Sequence, residues 1–131
     1  MLRDYQHNLD VRGSIPASSE LSGTTPVNGD SVQFEDHLGP VAGLFSLGTA
    51  TGSPASFSVE CKLQESTTGN SNWTDITGAA VTLTANKAVA LLQGTRTKPY
   101  VRAIATPAFT GGSTPKQFVA CPVFAQAAQV P

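Results

Sequence analysis

Phe57, Val59, Cys61 and Leu63 alternate with Ser58, Glu60, Lys62 and Gln64. Apolar groups at a spacing of two would circle a helix, but they line one face of a strand. The stretch therefore predicts a half-buried antiparallel strand. Val81 and Leu83, set between Thr82 and Thr84, repeat the pattern, as do Val32 and Phe34 after the turn signal Asn28-Gly29-Asp30. Val41 to Leu47 (VAGLFSL) carries bulk on both faces, which predicts an interior strand. Trp73 to Ile76 reads as a short strand broken at Gly78, Ala88 to Gln93 as an apolar run, and Tyr100 to Thr106 as a strand closed by Pro107. Phe118 to Phe124 is the last, and its Pro122 predicts an edge position or a bulge.

Gly/Ser/Thr-rich loops over 48–54 and 67–72 separate these runs, and no long segment has helical spacing. Short strands between turns imply two packed sheets or a small barrel. The predicted fold is all-β: a two-sheet antiparallel β-sandwich, jelly-roll-like. Its expected core is Phe45, Phe57, Val59, Cys61, Leu63, Trp73, Ile76, Val81, Leu83 and Val101.

The ends lack such a pattern. Residues 1–28 contain Pro16, Pro26 and many Ser, Thr and Gly, with no period of 2 or 3.6. Such a stretch cannot offset its ordering entropy by its own burial. It reads as an extended N-terminal arm that contacts other chains through Leu9, Val11, Ile15, Pro16, Leu21 and Pro26. The sandwich then occupies 29–125 and a short tail 126–131.

Composition narrows the function classes. The 131 residues suit one domain, able to bury roughly two-thirds of its unfolded surface without staples. Eight Lys and Arg against nine Asp and Glu give a net charge of -1, which leaves no surplus for nucleic-acid phosphates. No window has the apolar length of a membrane span, and the charged N-terminus is unlike a cleaved secretion signal. Cytosolic synthesis is the expectation. Cys61 and Cys121 could pair, but without a cysteine-rich framework they read better as buried thiols.

Catalytic parts are missing from the pattern. His7 and His37 have no ligand-spaced companions, so His37, in Glu35-Asp36-His37, reads as a solvated turn residue rather than a metal ligand. The carboxylates are scattered, with solvated charge as their default reading. Arg102 takes an outward strand position, and Arg96 and Lys98 frame a turn. Neither catalytic residue nor metal nor cofactor is expected. Trp73 could stack on a sugar together with Tyr100 and loop asparagines, but a strand-starting tryptophan reads better as a core plug.

Four segments in order carry a resemblance. Val59 to Ser66 (VECKLQES), then a Gly/Asn loop and Trp73-Thr74-Asp75-Ile76, then Tyr100-Val101-Arg102-Ala103-Ile104, all preceded by Gly43 to Thr49, resemble small tailed-bacteriophage virion proteins. The loop Thr67-Thr68-Gly69-Asn70 departs from that pattern by lacking its acidic residue. The resemblance implies a non-enzymatic capsid cement or decoration protein on the virion surface, assembled in the host cytoplasm. Its implied partners are the major capsid protein and further copies of itself, with neither nucleic acid nor membrane. A tail or head-to-tail connector subunit is the nearest alternative, and a carbohydrate-binding module the alternative of a different class.

Overall fold

The computed structural model describes residues 9–34 and 39–126. The described residues form nine strands: β1 (Leu9–Ser22), β2 (Val27–Asn28), β3 (Val32–Gln33), β4 (Gly39–Leu47), β5 (Ser56–Ser66), β6 (Thr74–Leu83), β7 (Val89–Arg96), β8 (Tyr100–Thr110) and β9 (Lys116–Gln126). One sheet has the order β1-β9-β4-β7; the other has β2-β8-β5-β6, with β3 also paired to β8. All pairings are antiparallel. Taking β2 and β3 as one interrupted strand gives two four-stranded sheets in the jelly-roll order. The protein is a β-sandwich, and no helix among the described residues is long and apolar enough to cross a membrane.

The seam between the sheets is filled as period two demands. Phe45, Val59, Cys61, Leu63, Ile76 and Val101 are buried in it, with Phe57, Val81 and Leu83 half-buried against them. The sheets approach so closely at Gly43 that a Cβ there would lie 2.8 Å from Leu63 Cδ2 of the facing sheet. Trp73 is the exception: it sits half-buried just before β6 and outside the core cluster. A ring placed before its strand begins does not share the inward alternation of that strand.

The expectation for residues 1–28 needs correction over its described part. Residues 9–22 form β1, which pairs with β9 from Leu9↔Gln126 to Ser22↔Lys116. Ile15 and Leu21 are core residues, 2% and 0% exposed, whereas Val11, Pro16 and Pro26 are exposed. Two register shifts, at Gly13/Ile15 and Ile15/Ser19, scramble the strand's alternation. Bulges insert unpaired residues, so no single period survives in the sequence.

Pro107 and Gly78 mislead at strand level, and Pro122 does so only in part, since it lies beside a bulge but not at an edge. β8 continues through Pro107, which faces Val59 of β5. On its other side the β2 ladder ends at Ala105, so a missing N–H removes no bond there. Pro122 lies in an interior strand, not at an edge, opposite Gly13 and beside the first bulge of β1. β6 likewise runs on past Gly78, whose φ of 81° falls within a register shift against β5.

Candidate functional site

The two sheets differ in what their outer faces carry. On the β2-β8-β5-β6 sheet, Gln64 is the hub of a polar network. Its Oε1 accepts from Arg102 Nε at 3.1 Å and Nη2 at 2.9 Å, and its Nε2 donates to Asp75 Oδ1 at 2.7 Å. Lys62 Nζ approaches Asp75 at 3.4 Å and Glu60 at 4.0 Å. The Gln64 hydrogen bond, then the Lys62 charge, outweigh desolvation and hold the Asp75 carboxyl below its ordinary value. Desolvation lowers the Arg102 guanidinium from its ordinary range.

Arg102 also covers Trp73, its Cζ 4.4 Å from the ring centroid. The ring face beneath that guanidinium is taken, which removes the flat platform a sugar would need there. Tyr100, offered with it as a second stacking residue, lies against Gly69, where an added Cβ would meet its ring within 2.6 Å. The loop residues Asn70 and Asn72 are exposed beside them.

At one end of the sandwich the sequence hid a buried polar cluster. Glu65, 8% exposed, accepts the backbone N–H of Thr97 at 2.7 Å and of Lys98 at 3.2 Å. Arg96 is 1% exposed rather than solvated in a turn. It donates to the carbonyls of Lys98 at 2.9 Å and of Phe34, and its Cζ stands 5.4 Å from the Phe34 ring centroid. Burial lowers its pKa, opposed by the charge of Glu65. Both residues occupy inward strand positions at a sandwich end, where a long side chain reaches free carbonyls and N–H groups. The cluster clamps the turn after β7 and the backbone at Phe34. His37 and its acidic neighbours, like His7, lie outside the described residues. Among the described residues no three His, Cys, Asp or Glu side chains gather as metal ligands would.

Cys61 and Cys121 are free and fully buried. Burial, with Glu60 adding to it, pushes the Cys61 thiol up to about 12, and burial raises Cys121 as well. Such thiols are inert as nucleophiles.

The outer face of the β1-β9-β4-β7 sheet is the opposite of polar. One row across it runs Val11, Phe124, Ala42 and Gln93. A second pairs Leu44 with Leu91, and a third runs Ala120, Ser46 and Val89. Among the described side chains, charge enters toward the rim, where Glu20 lies opposite Phe118 and 3.6 Å from Lys116 Nζ. Val11, Leu44, Val89, Leu91 and Phe118 are the exposed large hydrophobic residues among those described, and all five lie on this face. Of these five the sequence marks Val11 alone, as a contact residue of the arm. The bulk on both faces of Val41–Leu47 was the available signal, and it read as burial on both sides.

No family model and no curated protein matches this chain. Solved structures do. The PBSX exported protein XepA superposes with a TM-score of 0.57 at 15% identity, covering 100% of this chain and 42% of that one. A chain of the T13 infectious bursal disease virus particle gives a TM-score of 0.59 at 8% identity, covering 91% of this chain and 31% of that one. The Gx strain of the same virus gives 0.55 at 10% identity, covering 94% and 34%. This chain spans less than half the length of each. At such identities the likeness is one of fold: the same sandwich occurs within XepA and within the chains of the viral particles.

Proposed function

We propose that the chain is a non-enzymatic structural component of a virion, a capsid cement or decoration protein at the capsid surface. It binds the major capsid protein and neighbouring copies of itself, and it stabilises the shell by burying surface. The observation that carries this reading is the two-sided character of the sandwich. One sheet presents a wet, ion-paired face; the other presents an apolar face of the kind that marks an interaction surface. The fold shared with a viral particle chain and with XepA supports it, as do the four sequence segments that resemble phage virion proteins.

Binding that adds to the assembled shell and not to free subunits stabilises the shell by mass action. Particles assembled with and without the chain provide the test. Incorporation in many copies per shell, with heat-induced release of the genome shifted upward, is the expected result. Particles that exclude the chain would overturn the proposal. A single low-copy ring at one vertex would redirect it to a tail or connector subunit. The carbohydrate-binding alternative is disfavoured by the Arg102 guanidinium on the Trp73 ring.

A further inference from the structure

We infer that the outer face of the β1-β9-β4-β7 sheet is the contact surface for a second copy of this chain, packed face to face across a two-fold axis. The inference deepens the proposal above, resting on it only for the presence of neighbouring copies in one assembly.

Size comes first. Four strands at about 4.8 Å spacing, each near the nine residues of β4, make a face of roughly 19 by 30 Å, on the order of 600 Å² in plan. Stable interfaces bury about 600 to 1,000 Å² per partner, so this one sheet reaches the lower end of that range. Its anatomy follows the usual division into an apolar centre and a polar rim. Leu44 of the interior strand β4 stands opposite Leu91 of the edge strand β7, away from the strand ends, and the Glu20–Lys116 pair stands at the ends of β1 and β9.

Charge selects the occupant. A partner bringing a charged patch would have to desolvate it against rows that offer no counter-ion, at a cost of several kcal/mol per ion. The matching surface is neutral, apolar and of equal extent. This chain supplies one, and a net charge of -1 per copy adds little repulsion. A two-fold contact uses the same patch on both copies, so complementarity of a neutral face with itself is all it requires.

The test is sedimentation velocity of the full chain over a dilution series, for the wild type, Leu91→Lys and Thr82→Lys. Leu91 is 57% exposed, so the lysine leaves the fold intact, and matching circular-dichroism melts verify this. Thr82 is exposed on β6 of the other sheet and serves as the control. A concentration-dependent wild-type dimer is expected, unchanged in Thr82→Lys. In Leu91→Lys the dissociation constant should rise roughly 100-fold or more, because each substitution enters a two-fold interface twice. A wild type that stays monomeric throughout, or a dimer indifferent to Leu91→Lys, or one weakened equally by Thr82→Lys, would overturn the inference. A monomer whose binding to shells depends on Leu91 overturns self-pairing and keeps the virion reading. A Leu91-dependent dimer that particles exclude does the reverse.

Discussion

The hydroxyl of Ser14, on β1 of one sheet, accepts the backbone N–H of Ala103, on β8 of the other, at 2.9 Å. The same Oγ donates to the carbonyl of Asp30 at 2.9 Å, and a Cβ on Gly29 would collide with it. Ser14 has no partner in the β1–β9 register: it is the residue that the first bulge turns inward. One side chain thus ties the N-terminal strand to both the far sheet and the β2–β3 connection.

Replacing Ser14 by Ala strands the buried Ala103 N–H. Loss of one partner of a buried hydrogen bond costs about 1 to 3 kcal/mol. Urea unfolding should show a lower midpoint by that amount with an unchanged slope.

β1 belongs to the core, so its apolar residues should behave as core residues. Leu21→Ala and Ile15→Ala should each destabilise by about 2 to 5 kcal/mol, the range for large-to-small changes at buried sites. A chain lacking residues 9–22 should fail to give a cooperative thermal transition. A separable arm would leave both measurements unaltered.

Trp73 and Phe45 should part company. Phe45, 0% exposed, should lose about 3 to 5 kcal/mol on truncation to Ala. Trp73 holds a guanidinium rather than the core, and a cation–π contact at an exposed site contributes about 0.5 to 1 kcal/mol. Parallel denaturant melts of the two alanine variants should rank them in that order.

The buried thiols predict an alkaline weakness. The folded pKa of Cys61 is raised from 9.0 to about 12, so between those values the unfolded chain releases a proton that the folded chain retains. Stability is therefore full below pH 9 and falls as pH rises toward 12. Cys121, raised in the same direction, adds to the slope. Guanidinium melts across this window should show a steeper loss for the wild type than for a Cys61→Ala/Cys121→Ala variant. In the native protein a thiol-specific disulfide reagent should react only on unfolding.

The reading of Phe57–Gln64 as a half-buried strand, and of the chain as a two-sheet sandwich, needed nothing beyond alternation. Cys61, Leu63, Val59 and Val101 were legible as core for the same reason: a side chain's direction along a regular strand follows from counting by two. Glu65 obeys that count, since its parity with Leu63 points it inward. Charge argued for solvent, and only the Thr97 and Lys98 N–H groups at the sandwich end make burial tolerable. The carboxylate's environment is made by β7 and the turn after it, thirty-odd residues away in sequence.

Local order along each strand, the all-β class and the near-neutral charge were properties of the sequence by itself, because they depend on neighbours within a few residues. The tertiary structure alone decided that residues 9–22 are a strand, that Pro122 sits in a sheet interior, and that one outer face is apolar while the other is ionic. Each of those depends on which strand lies beside which. Antiparallel pairing brings together residues as distant as Val11 and Phe124, and bulges shift the count midway. A periodicity that is broken by a neighbour cannot be read before the neighbour is in place.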